Sequence, residues 1–247
     1  MTTDDKVDAQ LRRALVRYRL IEDGDRVLVA VSGGKDSLAL LRLLALRSRI
    51  FKPKFSIVAA HVRMRNIPYR ADAAYLQRLS DDLGVELHFI DTAFDATTDR
   101  RHTPCFLCSW HRRKALFALA QELGCNKIAL GHHQDDVIQT ALMGLTFTGS
   151  FSAMPPLLRM ERFPITLIRP LCLMRERLLS DYAAEHGFQT TLRPCPYEDA
   201  TRRHDIAQIA AQLEAMSPDF AASVQHALET VRQGRREHGD ESTTTLL

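Results

Sequence analysis

Residues 27–46 read VLVAVSGGKDSLALLRLLAL, and their order decides the fold. Val27 to Val31 form a short, wholly apolar run rich in β-branched residues, as a strand buried on both faces requires, and Ser37 to Leu46 have the pattern of an apolar helix. Between them stands Ser32-Gly33-Gly34-Lys35-Asp36-Ser37. Two glycines let the backbone approach an anion closely, the following helix points its first N–H groups and positive end at it, and Lys35 adds a point charge. A plain connection rich in Ser and Gly reads the same way locally. The string is neither GxxxxGK followed by Ser or Thr nor GxGxxG, which excludes the usual triphosphatase and dinucleotide loops.

Outward from this unit the alternation continues. Phe55 to His61, Val85 to Ile90, Lys127 to Leu130 and Thr166 to Ile168 are further short apolar runs read as strands, and helical patterns fall at 71–83, 109–123 and 135–145. Strand and helix in turn predict an α/β fold, a parallel twisted sheet with helices on both faces. Beyond Pro170 the pattern turns helical, at 174–186, 201–215 and 219–232. The expected organisation is an α/β domain over 1–170, a C-terminal helical appendage over 171–233 and a tail over 234–247.

The 247 residues suffice for a buried core, and 45% hydrophobic and 26% charged residues with only 11 Gly and 10 Pro exclude disordered, collagenous and disulfide-framework classes. No apolar run is long enough to span a membrane, and the opening MTTDDKVDAQ carries acids where a signal peptide needs a basic then apolar stretch. No membrane association and a cytoplasmic location are expected. There Cys105, Cys108, Cys125, Cys172 and Cys195 point to metal or thiol chemistry rather than disulfides.

Gly131-His132-His133-Gln134-Asp135-Asp136 follows the strand at 127–130 and opens a helix. Acids at a helix start favour the dipole by about 0.3–1 kcal/mol each; alternatively Asp135 or Asp136 offers a hard oxygen ligand to Mg²⁺ beside phosphates at the carboxyl ends of the strands. His61, at a strand end, is either an adenine-pocket residue or a simple strand-end polar group.

Cys105-Phe106-Leu107-Cys108 suits a zinc half-site, an iron–sulfur half-site or a redox dithiol. A second C-x-x-C is absent from the sequence, which excludes a zinc site built from two such pairs, and a thioredoxin-like dithiol would need its own βαβ context. Cys195, between Pro194 and Pro196, is the candidate third ligand. Cys125 and Cys172 are expected to be small buried hydrophobes. Three thiolates leave one iron of a 4Fe-4S cluster open; the rival is a Cys₃His Zn²⁺ site using His102, His111 or His204.

SGGKDS at the first strand end resembles the PP-loop of the ATP pyrophosphatases. Together with C-x-x-C followed by SWHRRK, the string ALGHHQDDVIQT, MPP at 154–156, IRPL at 168–171 and a later lone cysteine, the order is similar to that of the tRNA 2-thiocytidine synthetase (TtcA-type) family, from about residue 12 to 232. The resemblance implies an adenine nucleotide alpha hydrolase-like fold. It implies that Ser32, Gly33, Gly34, Lys35, Asp36 and Ser37, with His61, Gly131, Asp135 and Asp136, hold ATP and Mg²⁺, and that Cys105, Cys108 and Cys195 hold a 4Fe-4S cluster. Lys35, Asp36 and the three cysteines would then carry the chemistry. In the implied reaction the C2 oxygen of a tRNA cytidine, in the family position 32, is adenylated; sulfide carried on the open iron displaces AMP, with a cysteine desulfurase as sulfur source. A homodimer is compatible with this assignment. A lysidine-synthetase-like ligase shares the adenylation but does not need the cysteines. A tRNA uridine thiolase is set apart only by MPP and IRPL. A nucleotide- or zinc-binding RNA module without catalysis would release neither AMP nor pyrophosphate.

The segment 100–114 holds five Lys or Arg, two His and no acid, more positive charge than the +3 of the whole chain. It is either a solvated face or a basic collar for a phosphate backbone, with Arg112, Arg113 and Lys114 as RNA-binding candidates beside Trp110. Arg63, Arg65 and Arg70 form a second acid-free run.

Overall fold

The computed structural model describes residues 1–67, 71–94, 103–161, 163–190 and 202–237. The elements are α1 (Thr3–Arg17), β1 (Arg26–Ala30), α2 (Lys35–Ser48), β2 (Ser56–Met64), α3 (Ala73–Asp82), β3 (Leu87–Thr92), α4 (Pro104–Glu122), β4 (Lys127–Ala129), α5 (Gln134–Thr148), β5 (Leu157–Arg159), β6 (Thr166–Ile168), α6 (Glu176–Glu185), α7 (Arg202–Met216) and α8 (Phe220–Glu237). They fall into two compact units, residues 1–133 with 155–198, and residues 134–154 with 199–247.

In the first unit six strands lie in the order β3-β2-β1-β4-β6-β5. All pairs are parallel except β5 with β6, where the short turn-back after Met160 allows only an antiparallel return. The α/β expectation holds, with this edge strand as an addition. Period-two alternation explains the apolar strands. Leu28, Val58, Ala60, Val62 and Ile128 form one layer with Leu116, Phe117 and Ala120 of α4. Val27, Val29 and Ala59, of opposite parity and equally buried, face the other side, where α2 packs on β1 and β2. Helix α6 lies against α1 and α2, and its fully buried Tyr182 accepts a hydrogen bond from Arg42 Nη1 at 3.2 Å.

Two helix starts depart from the expected patterns. Helix α1 begins with a capping box, Thr2 and Asp5 exchanging side-chain and backbone bonds. Helix α4 begins at Pro104 rather than near 109, so the C-x-x-C pair lies inside its first turns; Thr103 caps it by accepting from Phe106 N at 3.3 Å, and proline occupies its first turn.

The register of β1 against β4 is set at their N-terminal ends by a buried polar knot. Asp25 Oδ2 lies 2.6 Å from Lys127 Nζ and accepts from Glu22 N at 2.6 Å. Its Oδ1 accepts from Asn126 Nδ2 at 2.7 Å, and Lys127 also donates to Leu20 O at 2.9 Å. Asp25 and Lys127 are 5% and 6% exposed, so each charge depends on the other.

In the second unit α5 packs with α7 and α8. Arg202 stacks 4.7 Å from the Phe147 ring centroid, and Arg232 donates to Met154 O at 3.4 Å. The chain reverses after α5 through Gly149, at φ 65°. That reversal brings Ser150 O to 2.5 Å from where a Cβ on Gly144 would sit, so only glycine fits at 144.

Replacing Asp25 by Ala strands a buried ammonium and is expected to cost about 3–5 kcal/mol, whereas the double change Asp25→Ala with Lys127→Met recovers most of it. Urea unfolding midpoints at constant slope measure both.

Candidate active site

The loop after β1 is held by its own serines. Ser37 Oγ accepts from Ser32 N at 3.1 Å and Gly33 N at 3.2 Å, and donates to Gly34 O at 2.8 Å. Ser32 Oγ sits 3.1 Å from Ser37 Oγ and accepts from Gly34 N at 3.3 Å. Gly33 has φ 92°, a conformation that other residues adopt at a cost. Gly34 caps α2 with no side-chain acceptor, which leaves the helix start open to an external anion. The loop's own hydroxyls and amides thus hold its backbone.

The Gly131–His133 turn after β4 lies directly against this loop. A Cβ on Gly131 would approach Ser37 N at 3.2 Å and Asp36 O at 3.3 Å, so the two backbones touch. Lys35 Nζ is 2.9 Å from Glu176 Oε1, at the start of α6, and 3.3 Å from Asp36 Oδ2. His133 Nε2, buried, lies 3.9 Å from the same Asp36 oxygen. Burial opposes the charge on Lys35, but the hydrogen bond to Glu176 and the two carboxylates outweigh it and raise its pKa above the ordinary value.

His61 is buried on β2, and its Nδ1 lies 2.7 Å from Val31 O, the residue before the serine loop. Burial, opposed by that hydrogen bond and reinforced by the charges of Arg112 and Arg63, holds its pKa below the usual value. A neutral ring donating from Nδ1 leaves Nε2 as an acceptor. Asp135 and Asp136 occupy the first turn of α5 in the second unit, where Asp136 Oδ1 is 3.4 Å from Arg203 Nη1 of α7.

Cys105 is exposed and Cys108 half-buried, three residues apart at the start of α4 and hence on one face of it. Cys195 lies outside the described residues, as do Arg70 and His102. Cys125 and Cys172 are buried, as expected of small hydrophobes. Lys114 is exposed with its Nζ 5.3 Å from the Trp110 ring centroid; Arg112 and Arg113 are half-buried, and burial draws the Arg113 pKa down. The second basic run is partly neutralised. Arg63 meets both oxygens of Asp91 at 2.9 Å and Arg65 meets one at 3.1 Å, so Arg65 and Arg63 hold that carboxyl below its ordinary pKa.

Three participants are not legible as site residues in the sequence. Glu176 reads as an ordinary helix-start acid. Asp91 is a lone strand-end carboxylate. Arg169, buried within IRPL, ties that motif to MPP by donating from Nη1 to Pro155 O at 2.6 Å.

Residues 3–206 match the PP-loop domain family. The tRNA-cytidine(32) 2-sulfurtransferase of Bdellovibrio bacteriovorus is 36% identical over 231 residues, covering 92% of this chain and 88% of that protein. That of Geobacter sulfurreducens is 35% identical over 236 residues, covering 92% and 90%. The chain belongs to the tRNA-cytidine(32) 2-sulfurtransferase family of PP-loop proteins. The U34-tRNA thiolase NcsA from Methanococcus maripaludis, solved with its 4Fe-4S cluster, shares the fold with a TM-score of 0.77 at 25% identity, over 93% of this chain and 78% of that one. In this sulfurtransferase-family chain the serine loop is the candidate PP-loop, and the Gly131 turn is its backbone neighbour.

Gly131→Ala forces the PP-loop backbone to yield by a few tenths of an ångström. ATP affinity, read by equilibrium dialysis, is expected to fall several-fold with little change in melting temperature, and Gly131→Val to abolish binding.

Proposed function

We propose that the protein is an ATP-dependent tRNA-cytidine sulfurtransferase that converts a cytidine, the one at position 32, to 2-thiocytidine. One observation carries this: a PP-loop and a C-x-x-C pair at the start of α4 occur on a chain that aligns with 2-sulfurtransferases over 92% of its length. In the first stage the cytidine C2 oxygen attacks the α-phosphorus of ATP, the bond between the α and β phosphates breaks, and pyrophosphate leaves. Lys35 and the N-terminal end of α2, whose cap Gly34 offers no side-chain acceptor, receive the charge that develops on the departing oxygens, the contribution that most often dominates such catalysis. Asp135 or Asp136 is the candidate carboxylate for Mg²⁺, which would supply further electrostatic stabilisation when bound. Neutral His61 offers Nε2 as an acceptor, suited to an amino group of adenine.

The cysteines fit a thiolate-ligated group. Cys105 and Cys108 share one helix face, and Cys195 supplies a third sulfur by sequence. When bound, a 4Fe-4S cluster supplies the sulfur that takes the place of the activated oxygen as AMP leaves; a cysteine desulfurase is the upstream donor. Cys₃His zinc is the alternative occupant. A second reading, thiolation of a tRNA uridine, is favoured by the likeness to the U34-tRNA thiolase.

Protein purified without oxygen is expected to be brown with about four iron per chain, and Cys105→Ala, Cys108→Ala or Cys195→Ala to lose the colour; a colourless protein with a single zinc rejects the cluster. Mass spectrometry of tRNA nucleosides from a deletion strain is expected to lack 2-thiocytidine while retaining 2-thiouridine; the converse selects the uridine reading.

Lys114, exposed beside Trp110, is the clearest phosphate contact among the described residues of the basic collar. Lys114→Gln is expected to lower the slope of log affinity for tRNA against log salt by about 0.7–1. Neutralising Arg112 and Arg113 as well weakens tRNA binding further, with ATP affinity unchanged in both proteins.

A further inference from the structure

We propose that Glu176 is a displaceable counter-ion for Lys35: without nucleotide it occupies the ammonium that a polyphosphate claims, and it swings aside when ATP enters the loop. The inference rests on ATP being the ligand of the PP-loop.

Lys35 stands between two carboxylates of different kinds. Asp36 is its neighbour on α2, one-quarter exposed and also approached by His133. Glu176 comes from α6, makes the shorter contact, 2.9 Å against 3.3 Å, and is half exposed. Of the two, Glu176 is therefore the partner with room to move into solvent. Its charge is separately favoured by the α6 N-terminus, where it occupies the first turn, so releasing Lys35 leaves it compensated. Asp36 has the same support from the α2 N-terminus but is less exposed, 24% against 51%.

The consequence is electrostatic. A bound polyphosphate in contact with Lys35 meets an uncompensated repulsion unless Glu176 withdraws. A multiply charged anion gains enough from the loop N–H groups and Lys35 to displace it, whereas a small anion gains less. Glu176 thus acts as a positioning residue: it keeps Lys35 oriented over the loop and raises the threshold for capture of stray anions. An ion pair this exposed corresponds to roughly a two- to five-fold factor in an equilibrium constant, and it fades as salt screens both charges.

Calorimetric titration of the full chain with ATP in EDTA, at low and at high salt, tests this. Glu176→Gln is expected to bind ATP about two- to five-fold more tightly than wild type at low salt, with the difference vanishing at high salt. Glu176→Asp, whose shorter carboxylate loses its reach to Lys35, moves in the same direction by less and serves if the Gln variant does not fold. Asp8→Asn removes the same charge from a pair with Arg12 within α1 and is expected to change nothing. Equal or weaker ATP binding by both Glu176 variants, a salt-independent difference, or the same gain in Asp8→Asn overturns the proposal. ATP binding by none of the four proteins overturns the nucleotide assignment of the loop, and the proposal with it.

Discussion

Everything at the candidate site depends on β1 lying beside β4. The chain leaves β1 through the PP-loop and α2 toward β2, and leaves β4 toward β5 and β6 on the opposite side of the sheet. The two exits therefore diverge at the carboxyl ends, the topological position at which open α/β sheets take ligands. The pairing holds Val27 opposite Lys127, Leu28 opposite Ile128 and Val29 opposite Ala129. The Asp25–Lys127 knot fixes it from below: a slip by one residue would separate two buried charges and turn every side chain of β4 to the wrong face. From above, the lack of a side chain at Gly131 lets the second turn rest on the PP-loop backbone. The knot and the glycine sit at opposite ends of the same strand pair and enforce one register.

On that frame the site is built for negative charge without carrying much positive charge itself. The serine hydroxyls shape the loop, the α2 start presents dipoles, and the one lysine is shared with carboxylates. His61, kept neutral by burial, contributes hydrogen-bonding capacity rather than charge. The same economy appears in the basic strand-end run, where Asp91 takes up Arg63 and Arg65. On α4, Lys114 is exposed beside Trp110.

The sequence by itself determined the strand–loop–helix unit, because a buried strand, two glycines and an apolar helix leave one arrangement for residues 27–46, and it marked both loops and the cysteine pair as candidates. Helix α1 was missed although Val7, Leu11, Ala14 and Leu15 stand at helical spacing and Thr2 with Asp5 forms a capping box, and the start of α4 was placed late because Pro104 to Cys108 carry no helical periodicity. What only tertiary structure decided was long-range charge pairing and grouping. Glu176 meets Lys35 across 141 positions of sequence, Asp91 meets Arg63 across the β2–β3 pair, and α5 groups with α7 and α8 rather than with the helices nearest in sequence. Local propensity and periodicity are written within a few turns of chain. The partner of a charge is set by which strand ends the sheet order brings together, and that order follows from burying every apolar face at once.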